Sequence, residues 1–257
     1  KSTYLLFFFC SVFSDHYRTL ENDSKIFNIK FKKGKITFYE NGNIKEGYLA
    51  ERTKINNIFF KENTKLLFYA NGSIKEGFID EELVFQGILL DKGKCFFYKN
   101  GNFQECNTSI KTRLFNYSLI GRVKFYESGK VEKISVNEKV FKINNIDFIS
   151  EYPRESYDII FYESGNLMAG TIYKSLKNSN FKFKPKTKIY FYETGEIKSG
   201  FLDKKIQIND ITFVSGCDGY SDFDIELFIN GKVKGGCIVE KKIIEGIEFE
   251  EKKFVYF

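Results

Sequence analysis

Apolar and polar residues alternate along this chain in short runs, and the runs return in nearly the same words. "KITFYENGNIKEGYL" spans residues 35 to 49, "KLLFYANGSIKEGFI" spans 65 to 79, and "KIYFYETGEIKSGFL" spans 188 to 202. A period of two, rich in aromatic and β-branched side chains and broken by Asn, Gly or Ser, predicts strands joined by tight turns. The turn glycine recurs at Gly42, Gly72, Gly101, Gly129, Gly165, Gly195 and Gly231, at intervals of 30, 29, 28, 36, 30 and 36 residues. A second pattern lies between these glycines: an apolar residue, two turn formers, another apolar residue, then Phe or Leu. It reads "INNIFF" from Ile55, "FQGILL" from Phe85, "INNIDF" from Ile143, "INDITF" from Ile208 and "IEGIEF" from Ile244, with "IFNIKF" from Ile26 as a half unit. Each repeat therefore predicts two hairpins, one longer and one shorter.

In the first repeat Asn41-Gly42 reads as a two-residue hairpin loop. That register sets Tyr39 opposite Ile44, Phe38 opposite Lys45, Thr37 opposite Glu46 and Ile36 opposite Gly47. Alternation then places Ile36, Phe38, Gly47 and Leu49 on the core face, and Tyr39, Ile44 and Tyr48 on the other. A second set of glycines, Gly47, Gly77, Gly170, Gly200 and Gly236, marks a close approach by something bulky. The expected cover is the diagonal Phe ring of the same hairpin, Phe38 in the first repeat. Cys106 and Ile134 hold this slot in two middle repeats, which predicts different packing there. One unit of roughly thirty residues buries too little to fold alone, so neighbours must stack. The expectation is an all-β fold: about seven tandem antiparallel β-hairpin repeats in one elongated, twisted or rolled sheet, a single domain over residues 15–257. "KFVYF" at 253–257 reads as the opening strand of an eighth unit that closes or caps the sheet.

The pattern "LFYANGSIKEGFI…FQGILLDKGKCFFYKNG" resembles the MORN-type repeats of bacterial proteins, whose core is "YYENGKLKxEG", in a longer subtype with a second turn-bearing half. The resemblance covers about residues 25 to 257. It implies an antiparallel sheet of hairpins, and roles in protein scaffolding, membrane-lipid contact or antitoxin-like neutralisation.

Composition adds a compartment. Residues 1–14, "KSTYLLFFFCSVFS", place one Lys before an apolar run from Tyr4 to Phe13, the layout of a secretory signal peptide, with Val12 and Ser14 small enough for cleavage before Asp15. Export permits disulfides. Cys95 and Cys106 fall opposite each other in the hairpin register, and Cys217 and Cys237 form a second candidate pair; free buried thiols are the alternative. The net charge of +6 is mild for 257 residues.

Candidate chemistry is sparse. The only histidine, His16, lies beside the cleavage site, so a histidine-based triad in the folded body is excluded. No metal-ligand, phosphate-loop or dinucleotide motif is present. Asp218, Asp222 and Asp224 in "CDGYSDFD" offer oxygen ligands, but their spacing matches no calcium loop and solvated loop acids are commoner. Tyr39, Tyr69, Tyr98, Tyr126, Tyr162 and Tyr192 form a file that ends in Phe228. It is either a binding stripe for a sugar or peptide or an aromatic ladder stiffening the sheet. Lysines follow the turn at Lys45, Lys75, Lys198 and Lys234, interrupted by Gln104, Glu132 and Met168, which reads as a mixed solvated edge. Insertions at 150–158 and 215–224, and a third, "KSLKNSNFKFKP" before the sixth repeat, are either binding loops or tolerated length variation.

The sequence thus predicts an exported, non-enzymatic repeat scaffold of the bacterial envelope, secreted, periplasmic or envelope-associated. It needs no cofactor or metal. It recognises a protein or surface glycan through its sheet face or inserted loops, with a membrane surface as a further partner and nucleic acid excluded. An antitoxin-like protein neutralising a toxin is the alternative, and a carbohydrate-active enzyme a more distant one.

Overall fold

The computed structural model describes residues 16–109, 111–114, 116–150, 158–178, 180–217, 222–244, 247–249 and 252–257. The signal-like segment 1–14, most of the 150–158 insertion and Asp218 lie outside them. Every regular element among the described residues is a β-strand, and successive strands pair antiparallel as tandem hairpins. No described helix is long and apolar enough to cross a membrane.

The chain divides into two compact units, one formed by residues up to 81 with 92–102, the other by 82–91 with 103 onward. In the first, strands His16–Leu20, Gly34–Phe38, Ile44–Tyr48, Lys65–Phe68, Ile74–Ile79 and Gly93–Phe97 pair in that order. In the second the order begins Phe103–Asn107, Arg122–Phe125, Val131–Ile134, Ile159–Phe161 and Leu167–Thr171. It continues through Lys188–Phe191, Ile197–Gly200, Ile225–Leu227, Val233–Cys237 and Phe254–Tyr256. The last strand, Phe254–Tyr256, is the one read from "KFVYF", paired to Val233–Cys237.

The long hairpins turn differently from the expectation. The Tyr39 N–H donates to the Asn43 carbonyl at 2.8 Å and the Gly42 N–H to the Tyr39 carbonyl at 2.9 Å. Gly42 has φ +84°, while Asn41 stays out of the positive region. This is a three-residue loop, a type I turn closed by a left-handed glycine, rather than the two-residue loop that needs positive φ at both positions. The extra residue appears as a bulge: Thr37 faces Glu46 as expected, but Phe38 faces Ile44 and Lys45 is left over. A bulge reverses the alternation beyond it. Ile44, assigned to the outer face from sequence, is therefore buried in the core, as is Ile74 one repeat later. The two-residue loop does occur, in the short hairpins: Asn56 and Asn57, with φ of 49° and 64°, join Ile55 to its partner Ile58.

The short hairpins explain the second set of glycines. Each folds back so that a residue at its end bridges the return strand of the sheet hairpin that follows, as in Phe31 to Leu49, Phe148 to Ile172, Phe183 to Leu202 and Phe213 to Ile238. The ring then lies over a glycine two residues earlier. A Cβ built on Gly47 would lie 2.6 Å from Phe31 Cδ1, and on Gly170 2.7 Å from Phe148 Cδ1. Gly77, Gly200 and Gly236 meet Phe60, Phe183 and Phe213 at 2.7, 2.8 and 2.6 Å. The covering ring thus comes from the short hairpin and not from Phe38, which is only half-buried. These rings, with Leu90 and Leu119 in the same place in two repeats, are fully buried and form the core between the sheet and its row of short hairpins.

Candidate functional site

The tyrosine file is built by the turn. Each Tyr opens the bulged loop, so its ring projects along the sheet toward the next hairpin. The Tyr39 hydroxyl donates to the Phe68 carbonyl at 2.7 Å, and Tyr69 to Phe97 at 2.8 Å. In the second unit Tyr126 donates to Phe161 at 2.7 Å, Tyr162 to Phe191 at 2.8 Å and Tyr192 to Leu227 at 2.7 Å. These hydroxyls are spent on ties between repeats. Burial, then the negative charge of Glu132, raises the Tyr126 phenol above its ordinary value. Burial, then Glu193, does the same for Tyr162.

The turn lysines are engaged as well. Lys75 and Lys198 lie over the rings of Tyr69 and Tyr192, both at 5.9 Å from the centroid. Lys234 bonds the buried Glu226 carboxylate at 2.9 Å, and that hydrogen bond holds the ammonium pKa up. In the repeat turning at Gly129 the same two positions carry Lys124 and Glu132, 3.1 Å apart with the charges exchanged. The bulge position thus forms a cross-strand ion pair of either polarity.

The four cysteines among the described residues are oxidised. Cys217 and Cys237 are joined, with Cα atoms 5.5 Å apart, within the range a disulfide spans. Cys95 and Cys106 are each disulfide-bonded too. Asp224 is not a solvated loop acid: its two oxygens accept from the Leu202 N–H at 2.9 Å and the Gly216 N–H at 2.8 Å, fastening the 215–224 insertion to the sheet. Asp158 takes the equivalent place after the other insertion, accepting from the Val136 N–H at 2.8 Å and the Ser150 hydroxyl at 3.0 Å. Among the described residues no three His, Cys, Asp or Glu side chains are placed to hold a metal ion.

What remains open is the sheet face turned away from the core, and the two units differ there. In the second unit a chain of rings, Tyr190, Phe223, Phe254 and Tyr256, with centroids 6.4, 5.5 and 5.1 Å apart, lies on this face over the strands from Lys188–Phe191 to Phe254–Tyr256. Beneath or beside it Ala169, Ser199 and Glu226 are buried. Burial raises the Tyr190 and Tyr256 phenols, with Asp222 and Glu226 adding to each in turn. In the first unit the rings on this face stand exposed among the described residues. Along one row of the sheet, Lys35, Tyr48, Lys65, Phe78 and Lys94 follow one another on adjacent strands, with Tyr48 paired to Lys65 and Phe78 to Lys94. Tyr48 is 48% exposed and Phe78 39%, and Tyr17 beside them is 64% exposed. Lys65 and Lys94 lean on Glu46 and Glu76 at 2.9 and 2.7 Å, and Lys35 lies 4.7 Å from the Tyr17 ring centre. The sequence reading missed this row because it placed binding at the turn tyrosines; the Lys–ring alternation was visible only once the strands were ordered.

No protein-family model matches the chain, and no curated protein does. Among solved structures it is similar to choline binding protein F from Streptococcus pneumoniae, crystallised in the presence of a peptidoglycan analogue (tetrasaccharide-pentapeptide). The identity is 12%, over 84% of this chain and 93% of that one, with a TM-score of 0.16. CbpJ from Streptococcus pneumoniae TIGR4 is 7% identical over 94% of this chain and 99% of that one, with a TM-score of 0.15. Scores this low carry no argument, and the fold assignment rests on the strands themselves.

Proposed function

We propose that this chain, an array of MORN-type hairpin repeats, is an extracytoplasmic scaffold of the bacterial envelope that binds a surface glycan along the open sheet face of its first unit. The observation that carries this reading is the exposed row Lys35, Tyr48, Lys65, Phe78 and Lys94. Exposed rings that alternate with charged side chains suit a ligand offering both apolar faces and polar edges. Tyr48 and Phe78 stand two strands apart, about 10 Å, a spacing that suits alternate sugar rings of an extended chain. The flat ring faces supply apolar contact for the sugars, and the Lys65–Glu46 and Lys94–Glu76 pairs beside them offer donors and acceptors to the sugar hydroxyls. The oxidised cysteines support a compartment outside the cytoplasm.

The test is co-sedimentation of the purified protein with insoluble cell-wall glycan, comparing the parent chain with Tyr48→Ala/Phe78→Ala. Neither ring is in the core, so thermal unfolding should barely change. Two rings at about 1 kcal/mol each predict a loss of roughly tenfold or more in affinity. Unchanged sedimentation of the double variant, or none by the parent, rejects this reading.

A further inference from the structure

The second unit carries a separate charged feature. Residues 172 to 190 contain Lys174, Lys177, Lys182, Lys184, Lys186 and Lys188 and no acid, a charge of +6 that equals the net charge of the whole chain. Part of this run lines a groove of about 590 Å³ between two successive short hairpins, Leu176–Lys177 with Lys182–Phe183 and Ile206–Ile208 with Ile211–Phe213. Lys177, Lys182, Lys204 and Lys205 border it, with the amides of Asn180 and Gln207 among them.

Lys177 and Lys182 face each other directly across their hairpin, an arrangement that costs stability because like charges repel. The fold does not demand it, although Lys25 and Lys30 share it in the first short hairpin: the matching pair is Gln207 with Thr212 in the next hairpin and Lys142 with Asp147 in the preceding one. Lys182 is neutralised by Asp203. No described carboxylate pairs with Lys177, Lys204 or Lys205.

We propose that this groove is an anion-binding subsite that takes an acidic polysaccharide segment, its carboxylate, sulfate or phosphate substituents held by Lys177, Lys204 and Lys205. The volume falls in the range of small-ligand clefts and suits a few sugar units, and the two amides match sugar hydroxyls. A concave cleft of this size fits a slender chain better than a flat lipid surface. The proposal takes only its ligand class from the glycan-binding reading above; it uses different residues in the other unit.

The test is calorimetric titration of the full chain with a sulfated heparin dodecasaccharide, with neutral chitohexaose alongside. The expected result is binding to the sulfated chain that weakens steeply with added salt, since exposed charges are screened. Lys177→Gln/Lys204→Gln/Lys205→Gln should lose roughly tenfold or more in affinity. Lys25→Gln/Lys33→Gln/Lys61→Gln, with the same loss of charge elsewhere, should stay within about twofold. Lys177→Gln/Lys204→Gln/Lys205→Gln should bind neutral chitohexaose as the parent does, so failure of the sheet-face reading and failure of this one are told apart. Equal losses in both lysine triples, or no binding by the parent, overturn the proposal. Tighter, groove-dependent binding to phosphatidylglycerol vesicles also overturns it, in favour of a membrane contact.

Discussion

Ile134 and Gly170 hold the same place in successive sheet hairpins, and both contact Ile159, which pairs with one on each side. Above Gly170 lies the Phe148 ring; above Ile134 the corresponding short-hairpin residue is Leu119, which bridges Val136 two residues on. Cys106 follows the same rule, because its short-hairpin partner is Leu90, bridging Thr108. So Phe covers Gly in five repeats, and Leu covers Cys or Ile in two. The sum of the two side chains is held nearly level while its division changes. This is what close packing requires of a repeat whose backbone spacing is fixed by hydrogen-bonded strands.

The largest effect should come from breaking that division. Gly170→Ile puts a branched side chain where even a Cβ lies 2.7 Å from the Phe148 ring and from Ile159 Cδ1. Overpacking at this level should cost at least about 3 kcal/mol. Phe148→Leu alone should cost about 1–2 kcal/mol by leaving a void. Together they recreate the Leu119–Ile134 pairing, so the double variant should be more stable than Gly170→Ile alone, with a coupling of about 1–3 kcal/mol. The check is the urea midpoint of all four proteins. A double variant no better than Gly170→Ile would show that the pairing of sizes is incidental.

The repeat count, the strand alternation and the core positions Ile36 and Leu49 were legible because a period of two written seven times over is hard to mistake. The ring above each glycine was not assigned correctly, although the signal was present. "INNIFF" and "INNIDF" end in Phe where the matching sheet strand has Gly, while "FQGILL" ends in Leu where it has Cys. Reading hairpins one at a time hides a correlation that lies between them. The face of Ile44 was lost for a more local reason: one residue of loop length decides it, and Asn-Gly is compatible with two loops. The open row Lys35 to Lys94 was least legible, since it exists only across strands.

A second contrast sharpens the first by about half its size. The residue seven places before the turn glycine is basic in five repeats (Lys35, Lys65, Lys94, Arg122 and Lys188) and Asp in the two, Asp158 and Asp224, that follow the longer intervals. The buried Asp224 gives one oxygen to each of two backbone N–H groups. Asp224→Asn presents an N–H₂ to one of those donors and leaves it without an acceptor, which should cost about 1–3 kcal/mol. Lys188→Asn, the same place after an interval of ordinary length, should change stability by less than about 0.5 kcal/mol. Thermal unfolding of the two variants checks this, and equal losses would mean that the acid is not an anchor.

The smallest effect concerns the tie between repeats. Tyr162 donates to the Phe191 carbonyl at 2.8 Å, whereas Phe228, at the corresponding place in a later repeat, has no hydroxyl to give. Tyr162→Phe should therefore cost only about 1 kcal/mol near neutral pH, the net worth of one hydrogen bond. Its pH dependence is the more telling readout. The folded-state phenol pKa lies above its ordinary value of 10.0, chiefly through burial and then through Glu193. The folded protein thus holds the proton more tightly than the unfolded chain does. Its contribution is complete below pH 10 and is lost as pH rises through the folded-state value, because the phenolate cannot donate. Melting temperatures of the parent and Tyr162→Phe should differ most below pH 10 and converge above it. Parallel curves through that range would show that the hydroxyl is not what joins one repeat to the next.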